Sequence, residues 1–163
     1  MKGSGRLILT GSLGDVLQES AQAALSLIRS RAEQYGIEEH YFAETDIHIH
    51  FPAGGIAKDG PSAGITIFAA LLSLLTKRPA RRNVAMTGEM TLSGRILPIS
   101  GIREKLLAAQ RAGMQRVLLP RANQEEVDSL PADVKEGFAV TLVDNSDELL
   151  PYVLVDNNDS NDS

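Results

Sequence analysis

An apolar run over residues 65–75 (ITIFAALLSLL), entered directly from the turn-rich stretch GGIAKDGPSAG at 54–64, restricts the folds open to this chain more than any other feature. A segment apolar nearly all round reads as a helix buried on most faces, so the remainder of the chain has to supply the surfaces that cover it. Lys77, Arg78 and Pro79 end it after Thr76. Ahead of it, Asp59, Gly60 and Pro61 are turn residues, and Ser62 falls at the N-cap or in the first turn. Backbone N–H groups there have no partner inside the helix, and the positive end of the helix dipole favours an oxyanion forming nearby. That is half of an acyl-transfer site. It is also where a serine simply caps a helix, and only a base at hand distinguishes the two.

With 163 residues the chain suffices for one globular domain around a single core. Its net charge of −5 and the lack of a large basic block argue against a dedicated nucleic-acid binder. The absence of cysteine excludes disulfides, thiolate nucleophiles and Cys-ligated metals, and it accords with a reducing compartment. No apolar run reaches bilayer length, and the opening MKGSGRLILTG is not a signal peptide. The expectation is a soluble, cytoplasmic chain without a membrane partner.

Period and punctuation place the other elements. Residues 6–10 (RLILT) read as a strand, and 15–35 as a helix with Val16, Leu17, Ala21, Ala24, Leu25 and Ile28 on its core face. Residues 46–51 (DIHIHF) alternate as a strand does, with Ile47, Ile49 and Phe51 on one side and His48 and His50 on the other. Two or three short strands are expected across 83–99, a helix over 102–112, a strand at 116–119, a short helix at 124–130, a strand at 138–143 and a last helix at 146–153. The fold class is therefore α+β, one compact domain of short mixed strands and packed helices over 1–154. Residues 155–163 form an acidic tail expected to be disordered. The basic cluster Lys77, Arg78, Arg81 and Arg82 reads as solvated surface.

A serine nucleophile needs His, Lys or a free N-terminus to take its proton. His40 lies in a polar connection, and His48 or His50 with Asp59 leaves a Ser-His-Asp arrangement open. The two strand histidines lack a carboxylate or third histidine at metal-ligand spacing, so no metal site is expected. The lysine alternative rests on IREKLLAAQRAG at 102–113. At 100° per residue Lys105 projects between Ile102, Ala108, Ala109 and Ala112, with Arg103, Glu104, Gln110 and Arg111 on the far side. Desolvation there disfavours the ammonium form and moves the amine toward use as a base near neutral pH. A lysine that snorkels past the alanines to water is the other reading.

Taken together, KDGPSAG at 58–64, VAMTGEMTLSGRILPISGIREKLLAA at 84–109, GSLGDVLQESAQAA at 11–24 and DIHIH at 46–50 closely resemble the proteolytic domain of the Lon family of ATP-dependent serine proteases, bacterial type. The likeness runs from about residue 5 to residue 154. It implies that Ser62 is the nucleophile and Lys105 the general base of a Ser-Lys dyad, and that Thr87 hydrogen-bonds the lysine. Ser100-Gly101 and Arg103 stand where the family usually has Gly-Gly and a lysine; Arg103 faces away from Lys105, so that change is expected to be silent. The chain has no Walker motif. The resemblance therefore implies that the ATPase module with its ATP and Mg, and the first strand or hairpin of the protease domain, lie outside this chain, which itself needs no cofactor. It implies too that the substrates are unfolded or damaged proteins, delivered into a homohexameric chamber.

In the expected reaction, neutral Lys105 deprotonates Ser62, backbone N–H groups of Ser62 and Ala63 hold the oxyanion, and water activated by the lysine cleaves the acyl-enzyme. Pro61 lacks an N–H and limits what the Gly60-Pro61 turn contributes. Asp59 either orients the loop or pairs with Lys105. A non-catalytic α+β interaction module is the alternative from another class.

Overall fold

The computed structural model describes residues 1–52 and 60–156. In chain order its strands and helices are β1 (Leu7–Gly11), α1 (Asp15–Ser30), α2 (Tyr41–Glu44), β2 (Ile47–Phe51), α3 (Gly64–Thr76), β3 (Val84–Met86), β4 (Glu89–Met90), β5 (Ile96–Leu97), α4 (Ile102–Arg111), β6 (Arg116–Pro120), α5 (Gln124–Ser129), β7 (Ala139–Val143) and α6 (Leu150–Val153). The strands form three small sheets. β1 and β2 pair in parallel, β3, β6 and β7 form a parallel sheet in that order, and β4 and β5 make an antiparallel hairpin. This is a single α+β domain.

Helix α3 is the centre of the larger core. Ile65, Ile67, Phe68, Ala69, Leu71 and Leu72 are buried on it, packed with Leu17, Ala21, Ala24, Leu25, Leu27 and Ile28 of α1. Burial is not complete all round: Thr66, Ala70 and Leu74, spaced four apart on one face, stay exposed along a groove beside β2. The three-stranded sheet divides the interior. Leu118 and Val143 belong to the α1–α3 core, whereas Val117 and Leu119 face a second core with Ile102, Leu106 and Ala109 of α4. Alternate side chains of one strand pointing to opposite faces is what puts α3 and α4 on the two sides of β3–β6–β7.

Three expectations are corrected. Val16 is 39% exposed and not in the core. The first helix stops at Ser30, and a separate 3-10 turn, Glu33–Tyr35, ends at Gly36 in the left-handed region (φ 69°). There Arg31 reaches away from the helix to the Ser93 carbonyl, Ser146 and Asp147. The last helix is split into a 3-10 turn, Ser146–Leu149, and α6, consistent with Pro151 lacking an N–H. Beyond the expected domain end, the Val155 N–H still donates to the Pro79 carbonyl (2.9 Å) and Asp156 pairs with Arg78 (3.1 Å). Residues 157–163 lie outside those described.

Asp46, 5% exposed, organises the entry to β1. Its carboxylate accepts from the backbone N–H groups of Ser4 (2.8 Å) and Arg6 (2.9 Å) and from the Arg6 guanidinium (3.1 Å). The two backbone bonds, ahead of the arginine, hold its pKa down at about 2. A carboxyl lowered in the folded state stabilises fully above its unfolded pKa and loses that contribution as pH falls through its folded one. Melting temperature is thus expected to fall between about pH 4 and pH 2, and Asp46→Asn, compared by thermal melts over that range, should flatten the fall.

Candidate active site

Ser62 lies in a 3-10 turn, Pro61–Ala63, that leads into α3. Pro61 occupies the first turn, where its missing N–H costs nothing. The N-cap position of α3 belongs to Ala63, and no side chain caps the helix, so the capping role open to Ser62 in the sequence is not the one it takes. The Gly64 N–H is committed to the Pro61 carbonyl and the Ile65 N–H to the Gly88 carbonyl. The 3-10 turn takes the Ala63 N–H toward the Gly60 carbonyl, so the Ser62 N–H is the donor left without a partner among the described residues at this helix start. Gly60, at φ 171°, is in extended backbone that any residue adopts, and its position does not require glycine. Asp59, and with it residues 53–58, lies outside the described residues.

The turn after β3 is clamped onto this helix start. Gly88 N–H donates to the Ser62 carbonyl (2.9 Å), and the Thr87 hydroxyl donates to the same oxygen (3.3 Å). Two glycines make the approach possible. A Cβ on Gly64 would sit 3.0 Å from the Met90 nitrogen, and one on Gly88 would sit 3.0 Å from the Ile96 side chain. Thr87 is itself fixed from the other side by its N–H, which donates to the Leu118 carbonyl (3.2 Å).

Lys105 comes to the same place from α4. Ile102, Leu106 and Ala109 form the buried face of that helix; Lys105 is half-buried beside it, and Ala108 and Ala112 are exposed. Of the alanines that the helical projection placed toward the core, only Ala109 is buried, whereas Ala108 and Ala112 wall a cleft; the projection also passed over Leu106. The Lys105 amine donates to Thr87 Oγ1 at 3.1 Å. Burial lowers its pKa from the ordinary lysine value, and no carboxylate among the described residues contributes to the shift. Thr87 Oγ1 thus gives its one proton to the Ser62 carbonyl and accepts from Lys105. Among the described residues, Lys105 makes no hydrogen bond to Ser62 itself.

The cleft, about 590 Å³, is lined by Ser62, Thr66, Thr87 and Lys105 together with the apolar wall of α4 and with Val84, Ala85 and Met86 of β3. β3 is an edge strand. Asn83 and Thr87 turn their backbone groups to β6, so alternation along the strand directs those of Val84 and Met86 to the open edge. The Met86 carbonyl accepts from Thr66 Oγ1 (3.4 Å); the other edge groups are available to an extended chain lying in the cleft.

The histidines are not brought to this cleft. His48 Nε2 and His50 Nδ1 both bond Thr10 Oγ1, at 2.7 and 2.9 Å, on the exposed side of β2, and His40 pairs with Glu38 at 3.2 Å on the surface. Among the described residues no group of three or more His, Asp or Glu side chains is placed to hold a metal ion, and no helix is long and apolar enough to cross a membrane. Sequence reasoning missed Asn123. This buried side chain donates to the Ile99 carbonyl (2.9 Å) and accepts from the Ile99 N–H (3.0 Å), pinning the segment that enters α4 and so the base of Lys105. Its only sequence signal was an asparagine just before a short helix, which reads as an ordinary cap.

A family model described as the Lon protease (S16) C-terminal proteolytic domain matches residues 1–156. Relatives include a Lon protease of Aquifex aeolicus, 55% identical over 95% of this chain and 20% of that protein, and Lon protease 1 of Bacillus subtilis, 52% identical over 94% and 20%. A Lon protease of Clostridioides difficile is 47% identical over the whole chain and 21% of its own length. The chain thus spans about a fifth of the length of these relatives.

Proposed function

The chain belongs to the Lon protease (S16) family, matching its C-terminal proteolytic domain, and from that premise we propose that it is a serine endopeptidase domain working through a Ser62–Lys105 dyad. The observation that carries the reading is the half-buried Lys105 amine, its pKa lowered by burial, held 3.1 Å from a threonine that also bonds Ser62. With the Thr87 proton turned to the Ser62 carbonyl, a neutral Lys105 donates one N–H to Thr87 and keeps its lone pair for the serine hydroxyl.

A peptide lying along the open edge of β3 pairs with the groups of Val84 and Met86 and presents a carbonyl to Ser62. Lys105 takes the Ser62 proton as Oγ attacks that carbon. The oxyanion is met by the N–H group of Ser62 at the start of α3. The lysine ammonium then protonates the leaving amine, and the ester that remains is cleaved by a water whose proton Lys105 accepts.

In the longer protein we assign an ATPase module, using ATP and Mg, that delivers unfolded or damaged protein to a homohexamer of such domains in the cytoplasm. The non-catalytic alternative gains no support from the cleft, where Ser62, Thr87 and Lys105 converge. The test is labelling by a serine-directed peptide phosphonate, located by mass spectrometry. Modification is expected on Ser62; a folded chain labelled at another serine, or at none, refutes the assignment.

A further inference from the structure

Four cations cluster after α3 in the sequence, Lys77, Arg78, Arg81 and Arg82, and the fold sends them to different places. Lys77 closes α3 in the left-handed conformation (φ 56°). Arg78 is engaged with the end of the chain, donating to the Val155 carbonyl (3.3 Å) and pairing with Asp156. Arg81 turns into a separate cleft beside Arg116 and Tyr152. Arg82 alone of the four lines the cleft that holds Ser62 and Lys105.

Its surroundings leave it unanswered. Arg82 is exposed, and no described residue gives its guanidinium a hydrogen bond or an ion pair. The cleft residues of neighbouring segments, Val84, Ala112 and Met114, are apolar, and no carboxylate among the described residues lines the cleft. A guanidinium beside apolar neighbours at one end of the cleft favours a ligand that brings its own carboxylate, because the planar fork donates to one in bidentate geometry. We infer that Arg82 is a specificity-determining residue that reads an acidic side chain of the bound peptide at a distance from the scissile bond. The inference rests on the proteolytic reading and adds a substrate preference to it.

The strand sets the distance. Ser62 is tied to Thr87 and Gly88 just past the end of β3, and Arg82 stands just before its start. A peptide paired along that edge advances about 3.3 Å per residue, so its residue level with Arg82 lies about four to six residues from the bond at Ser62, on one side only. Because the arginine is exposed, the preference is modest and depends on salt.

The test uses internally quenched peptides of one parent sequence, with Glu, Gln or Lys placed in turn from the third to the sixth residue on either side of the cleaved bond. The chain and its Arg82→Glu variant are compared at low ionic strength. The expected result is that Glu exceeds Gln by about twofold to fivefold at positions on one side, the range of an exposed ion pair, with Lys below Gln. In Arg82→Glu the order of Glu and Lys should reverse at those same positions, and added salt should erase both preferences. Equal rates for Glu and Lys throughout, or a Glu preference kept by Arg82→Glu, overturns the inference while cleavage of the Gln peptides sustains the protease reading. No cleavage of any peptide together with no labelling of Ser62 overturns both.

Discussion

Lys105→Met is expected to slow peptide cleavage and Ser62 labelling by about a hundredfold to ten-thousandfold, the range over which a positioned general base acts. Methionine keeps an unbranched apolar stem of similar length beside Ala108 and Ala109 in the cleft wall and removes the amine. Folding should survive because the half-buried ammonium is a cost to the folded state. Since burial lowers the Lys105 pKa, the unfolded chain binds more protons between the folded value and the ordinary lysine value, and stability rises with pH through that window. The variant should lose that rise and melt no lower than its parent at neutral pH. The cleavage rate of the parent should climb with pH until Lys105 is neutral, with its midpoint below that of a free lysine. Rapid labelling of Ser62 in the methionine variant would remove Lys105 from the mechanism and return the search to another base.

Phe68→Ala should cost about 3–5 kcal/mol, the range for emptying a buried aromatic site. Phe68 is fully buried on α3, with its ring 6.3 Å from that of Tyr35 in an edge-to-face contact. Much of the surrounding core comes from α1 and α3, two helices whose backbones cannot collapse onto the void without losing their other contacts. For a domain of this size the loss corresponds to a fall of roughly 6–20 °C in melting temperature. Phe68→Leu, which retains most of the volume, should cost a minor part of it. Denaturant unfolding with an unchanged slope checks both; an alanine variant within about 1 kcal/mol of the parent would show that α3 is not the centre of the core.

Both experiments depend on features that were legible to different degrees in the chain itself. The buried helix was readable because the run at 65–75 is apolar at nearly every position, and most of it has to be covered. Period two exposed β2, and the helical projection of 102–112 isolated Lys105 from the other charges. The limits of that projection were equally physical. It treated small residues as core-facing, but Ala108 and Ala112 are exposed in a cleft, since periodicity reports which face is apolar and not what covers it. The exposed stripe of α3 at Thr66, Ala70 and Leu74 escaped notice for the same reason.

Local chemistry in the sequence determined where the helices and strands begin, which residue types could serve as nucleophile and base, and through several joined motifs the family. Only the tertiary structure brings Lys105, and neither His48 nor His50, to the cleft that Ser62 lines. His48 and His50 are held by Thr10 on β2, whereas β3 brings Thr87 between the start of α3 and the flank of α4, so that one hydroxyl bonds both Lys105 and Ser62. The same packing fastened Arg78 to the end of the chain and left Arg82 facing the cleft. Such outcomes are set by contacts between segments far apart in the chain, whose geometry depends on how two cores pack across one sheet, and no local pattern of residues encodes that distance.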